Sequence, residues 1–287
     1  MMNMASYIPQ EHDFSSTQII TNDGVRLRAL SHGTGRPIVF VHGYAQTALG
    51  FGRQIGAFGT THQAVAIDLR GHGGSEKPNH GYRVGRLAAD LNDVFAALKL
   101  SDITLVAHSM GCGVVWAYLE QYGFSHIRDL VLIDRPTCLT ADPTARTPQQ
   151  TLYTPDEVFQ FAASLRGPGQ RDVIEGLVRR MMSPSMPEAE IDWFTQQSLL
   201  VPFHIAASLF IATRFDEWRD FLKTITCPTL VIAAENSMMP VATMQAMADI
   251  IQNASFKEFT GPTASHFMFW EQAEDFNQTL RKFIGSS

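Results

Sequence analysis

Ala107-His108-Ser109-Met110-Gly111 decides how this chain is read. It follows an apolar run, Ile103-Thr104-Leu105-Val106, and opens a helical pattern from Cys112 to Leu119. A serine held between a strand end and a helix start sits on a strained turn. The turn pushes its hydroxyl out of the fold and places the unpaired N–H groups of the helix N-terminus behind it. That arrangement makes serine, a weak nucleophile, available for attack. The usual pattern is G-x-S-x-G, and Ala107 replaces the first glycine. The crowded turn needs a small residue there, so alanine is the mildest departure.

The surrounding pattern is that of a parallel sheet. Short continuous apolar runs, which suit strands buried on both faces, occur at Ile38-Val39-Phe40-Val41, Ala64-Val65-Ala66-Ile67, Ile103 to Val106, Leu130-Val131-Leu132-Ile133 and Leu230-Val231-Ile232-Ala233. Helical patterns lie between them. The clearest is the stripe Val84, Leu87, Ala88, Leu91, Val94, Phe95 and Leu98. Near the N-terminus, Thr17 to Ile20 and Val25 to Leu30 flank Asn22-Asp23-Gly24, a hairpin signal. Alternating strands and helices predict an α/β fold with right-handed crossovers.

The rhythm breaks after Asp134. From Pro136 to Trp218 the chain reads as helices punctuated by prolines and rich in Met, Trp and Phe, with no buried strand. A stretch of that length predicts an inserted helical subdomain rather than a loop. The expected organisation is a core of 14–135 and 219–287 with a helical cap at 136–218.

Composition narrows the function classes. The 287 residues are 45% hydrophobic and 17% charged, with net charge −6 and no basic block. Neither nucleic acid nor an acidic membrane surface is an expected partner. No apolar run reaches the length of a bilayer span, and the N-terminus lacks the regions of a secretory signal. Three cysteines without metal-site spacing predict reduced thiols and a cytoplasmic setting. Cys112 reads as small helix packing. A small-molecule substrate is the expected partner, and the oligomeric state is left open between monomer and homodimer.

Four segments, in order, resemble the α/β-hydrolase superfamily: Val41-His42-Gly43-Tyr44, Asp68 to Ser75, Ala107 to Gly111, and Ser265-His266-Phe267. The resemblance spans most of the chain. It implies an α/β-hydrolase fold, with a mostly parallel eight-stranded sheet flanked by helices and an inserted helical cap. Ser109 is then the nucleophile and His266 the general base, and the backbone N–H groups of Tyr44 and Met110 form the oxyanion hole. Such donors are typically worth about 3 kcal/mol each in the transition state. His42 and His108 read as structural, as does the turn from Asp68 to Gly74.

The triad acid departs from the pattern. Most members carry it after the strand corresponding to Leu230 to Ala233, but Ser237 occupies that place, and serine cannot compensate an imidazolium. Some members place the acid on the preceding strand. Asp134 ends that strand and is the acid favoured here, with Glu235 as the alternative.

A serine nucleophile excludes the alkyl–enzyme chemistry of epoxide hydrolases and haloalkane dehalogenases, which requires a carboxylate. The leading expectation is hydrolysis of a carboxylic ester, lactone or thioester of a small, largely apolar substrate through an acyl-serine, with no metal or organic cofactor. The alternatives are a cofactor-free oxygenase of the same fold and a ligand-binding protein with a vestigial triad. His42, Gly43, Met181, Trp193, Phe203 and Phe267 are the candidate pocket residues.

Overall fold

The computed structural model describes residues 7–140 and 152–286. Eight strands lie among the described residues: β1 (Ser15–Ile20), β2 (Arg26–His32), β3 (Pro37–Val41), β4 (Gln63–Asp68), β5 (Ile103–His108), β6 (Ile127–Ile133), β7 (Thr229–Ala234) and β8 (Ala254–Phe259). They form one sheet in the order β1-β2-β4-β3-β5-β6-β7-β8. The β1 and β2 hairpin is antiparallel, and β2 runs antiparallel to β4. All pairings from β4 across to β8 are parallel. The four apolar runs in β3, β5, β6 and β7 lie side by side and are buried throughout, as their continuous hydrophobicity requires.

Helices cover the sheet: α1 (Gly52–Phe58), α2 (Val84–Ala97), α3 (Met110–Tyr122), α4 (Pro155–Ser164), α5 (Gln170–Met181), α6 (Glu188–Leu199), α7 (Phe203–Ala212), α8 (Arg219–Leu222), α9 (Val241–Ile250), α10 (Met268–Glu271) and α11 (Ala273–Ser286). In α2 the predicted stripe from Val84 to Phe95 faces inward. Among the described residues no single helix is long and apolar enough to cross a membrane.

Between β6 and α8 the described residues form α4 to α7 and no strand, only the isolated bridges Cys138–Glu217 and Thr140–Tyr153. Three of the prolines there mark helix starts. Pro155 opens α4 behind a Thr154–Glu157 capping box, and Pro187 and Pro202 precede α6 and α7. This helical segment is fastened to the core by specific polar contacts. Arg53 of α1 meets Glu190 of α6 at 3.1 Å, and the Trp270 indole N–H donates to the same carboxylate. Thr47 donates to Gln197 at 2.9 Å, Gln46 to Ser198 at 3.0 Å, and the Tyr44 phenol to the Ala206 carbonyl at 2.9 Å.

Candidate active site

The C-terminal ends of β3, β5, β6 and β7 meet at the centre of the sheet, where open α/β sheets bind ligands. At the end of β5, two residues beyond its apolar run, the chain turns sharply into α3. Ser109 takes φ 50° and ψ −120°, a left-handed conformation that L-residues rarely adopt. Its N–H is tied to the Ile133 carbonyl at 2.9 Å. Two glycines make the turn possible. A Cβ on Gly111 would lie 2.5 Å from the Val41 carbonyl oxygen, and one on Gly43 would lie 2.9 Å from His108 Nδ1. The loop after β3 can therefore press against the serine turn.

That close approach brings two donors together. The N–H of Met110, first residue of α3, and the N–H of Tyr44 make no hydrogen bond among the described residues. A helix N-terminus leaves such groups unpaired by construction.

His266 lies on the loop between β8 and α10. His108 Nε2 lies 3.0 Å from the His266 carbonyl oxygen and, facing an acceptor, must carry the proton. Ser265 fixes the other side of the loop. Its hydroxyl donates to Glu271 and accepts the Phe267 N–H at 3.0 Å. The His266 ring meets Asp134, with Nδ1 2.6 Å from Oδ2. That bond places the proton on Nδ1 and leaves the Nε2 lone pair free. Asp134 and His266 are buried, and Ser109 is 8% exposed. Ser109 and His266 line one narrow cavity of about 20 Å³. Ser109 Oγ makes no hydrogen bond among the described residues, to His266 or to any other group.

Asp134 also takes the left-handed conformation, with φ 52°. The Ser237 hydroxyl donates to its Oδ2 and accepts the Met239 N–H at 3.1 Å. The serine found in place of a carboxylate thus touches the carboxylate of the neighbouring strand rather than the imidazole. Glu235 points elsewhere: it accepts the Gly261 N–H at 2.9 Å in an exposed loop. Arg135 turns away from Asp134 and donates to the Thr213 carbonyl at 2.9 Å.

Burial sets the electrostatics. It pushes the His266 imidazole down to about 3, and the guanidinium groups of Arg214 and Arg135 push the same way. Burial raises Asp134 well above the usual carboxylate range, and the Ser237 hydroxyl opposes that rise. Burial also lifts the Cys112 thiol to about 12, so no thiolate competes beside Ser109. Its Sγ donates to the Ala107 carbonyl.

The candidate pocket residues divide. Gly43, Met181 and Phe267 line the cavity. His42, Trp193 and Phe203 do not. His42 is buried under the loop, accepting the Leu69 N–H at 3.1 Å, and its ring packs on His72. Trp193 stacks on Trp270, with centroids 5.0 Å apart, in the joint between α6 and the core. Phe203 opens α7 and packs on the hydrophobic core. Sequence reasoning overlooked Arg214, Tyr153 and Met238, which all line the cavity. A single arginine in Phe210-Ile211-Ala212-Thr213-Arg214-Phe215 was the available signal.

Residues 38–279 match the alpha/beta hydrolase family, and the chain belongs to it. It is 30% identical over 274 residues to the non-heme chloroperoxidase CPO-A1 of Kitasatospora aureofaciens, covering 92% of this chain and 98% of that protein. An esterase from Exiguobacterium antarcticum superposes with a TM-score of 0.88 and 27% identity, over 94% of this chain and 100% of that one. A thermophilic esterase from Thermogutta terrifontis gives 0.81 and 26%, over 95% and 98%.

Proposed function

We propose that this chain is a serine hydrolase that cleaves a carboxylic ester, or a related lactone or thioester, through an acyl-serine. The observation that carries this reading is the 2.6 Å contact from Asp134 to His266 Nδ1, which leaves Nε2 unprotonated on a residue that lines the same cavity as Ser109. His266 Nε2 takes the Ser109 proton as Oγ attacks the substrate carbonyl. Asp134 orients the ring and balances the imidazolium. The N–H groups of Tyr44 and Met110 receive the oxyanion. The imidazolium then protonates the departing alcohol. A water activated by the same nitrogen attacks the acyl-serine and releases the acid.

In this reading α4 to α7 act as a cap. Leu177 and Met181 of α5, with Met238 and Phe267, supply the apolar wall that receives the hydrocarbon part of the substrate. The esterase similarity at 27% and 26% identity supports ester chemistry. The chloroperoxidase relative supplies a second reading of the same site, and a halogenation assay with peroxide and chloride checks it. A cofactor-free oxygenase would not acylate the Ser109 hydroxyl, and a vestigial triad would leave it idle. A panel of p-nitrophenyl esters, lactones and thioesters, run beside Ser109→Ala, tests the proposal. Ester turnover that the substitution abolishes is the expected result. Oxygen uptake with aromatic N-heterocycles, or thermal stabilisation by a ligand without any turnover, would replace it.

A further inference from the structure

The buried arginines of this chain fall into two groups. Arg28 meets Asp68 at 2.5 Å, Arg53 meets Glu190 at 3.1 Å, and Arg70 meets Asp90 at 2.8 Å. Arg214 is buried as they are, at 7% exposure, yet no carboxylate among the described residues lies within ion-pair distance of it. Its Nη1 donates to the Thr213 hydroxyl at 2.8 Å, and its buried Nε has no acceptor. The Tyr153 hydroxyl also accepts a hydrogen bond from the guanidinium, and its other neighbours are aromatic rings: Phe210 with its centroid 4.0 Å from Cζ, Tyr44 at 5.3 Å and Tyr153 at 5.6 Å. Close by, Arg135 is also buried and without an ion pair. Asp216 acts on it only from beyond that range. Arg214 lines the cavity that holds Ser109 and His266.

Burying a guanidinium with no anion is unfavourable, and an orphaned N–H adds to the penalty. A protein that keeps such a group at a cavity wall has left a place for an anion. A planar guanidinium matches a carboxylate, which it binds through two parallel hydrogen bonds. We propose that Arg214 binds a carboxylate carried by the substrate, so that the site takes an acidic ester: a half-ester of a short dicarboxylic acid. The apolar wall holds the chain between the two carbonyl ends, and Tyr44 links them, its N–H facing the ester and its ring facing the guanidinium. The expectation of a largely apolar substrate gains one charged end accordingly.

This inference rests on the esterase reading, and the test separates the two. Methanol release is measured with monomethyl glutarate and with methyl hexanoate, an uncharged ester of similar length. The kcat/KM ratio should favour the half-ester by about 10- to 100-fold, the usual worth of a hydrogen bond to a charged group. The ratio should fall toward one in Arg214→Met and recover in part in Arg214→Lys. A merely structural arginine would lower both substrates together and leave the ratio unchanged, which would overturn the proposal. A parent enzyme that prefers methyl hexanoate would also overturn it while leaving the esterase reading intact. Turnover of neither ester leaves the esterase reading to the panel of esters, lactones and thioesters. Calorimetric titration of monomethyl glutarate into Ser109→Ala then decides for Arg214. Binding that disappears on adding Arg214→Met upholds the proposal, and no binding to Ser109→Ala refutes it.

Discussion

Asp134 is the residue on which the charge arrangement turns. Its carboxylate takes the His266 Nδ1–H and the Ser237 hydroxyl on one oxygen, Oδ2, in a buried site. Asp134→Asn keeps the shape but removes the charge and invites the wrong imidazole tautomer. We expect kcat to fall by roughly 10⁴, as for the same change in a serine protease triad. Glu235→Gln, in its exposed loop, should change kcat less than about twofold, and steady-state kinetics on both variants checks the pair. The pH profile gives a second test. Burial holds His266 low and Asp134 high, so the two titrate as a unit and the acid limb of kcat/KM belongs to that unit. The Ser237 hydroxyl lowers the Asp134 pKa, so Ser237→Ala lets it rise. The carboxylate is then protonated earlier as pH falls, and the acid limb should move to higher pH. A limb that stays put or moves lower would show that Ser237 does not act on the carboxylate.

The elements were unequally legible in the sequence. Central strands gave themselves away because burial on both faces demands unbroken apolar runs. β8 escaped that search: as an edge strand its residues alternate between more and less exposed positions, and its sequence Ala254-Ser255-Phe256-Lys257-Glu258-Phe259 is half polar. The eighth strand was expected only through the family resemblance. The serine turn was readable because its strain restricts the residues it admits. The α3 N-terminus carries a stability prediction of its own. Gly111→Ala puts a methyl 2.5 Å from the Val41 carbonyl oxygen and should destabilise the fold by about 1–3 kcal/mol. Gly176→Ala, inside α5 with nothing within 4 Å of a Cβ, should stabilise by about 0.5–1 kcal/mol. Thermal unfolding of the two variants should therefore shift in opposite directions.

At the scale of the whole molecule, the helical segment and the core meet through a buried polar joint of Arg53, Glu190 and Trp270, with Trp193 stacked beside it. The Trp193 example shows why pocket residues resist reading from sequence. The same aromatic chemistry serves an internal joint and a substrate wall, and only the relative placement of α6 and the core tells them apart. Arg214 resisted for the opposite reason: a lone charge in an apolar stretch has no periodicity to flag it. Glu190→Ala leaves the Arg53 guanidinium buried without its carboxylate and should cost about 3–5 kcal/mol, read as a fall in the unfolding midpoint in denaturant. Arg53→Met with Glu190→Met should restore much of that loss.

The proposed hydrolysis depends on a single atom, the hydroxyl oxygen at position 109, forming and breaking a covalent bond in each cycle. Mass spectrometry after treatment with a fluorophosphonate tests this most directly. We predict one adduct per chain, mapped to Ser109, absent from Ser109→Ala and matched by a burst of p-nitrophenol from an activated ester. Labelling at another residue, or undiminished ester turnover in Ser109→Ala, would contradict it.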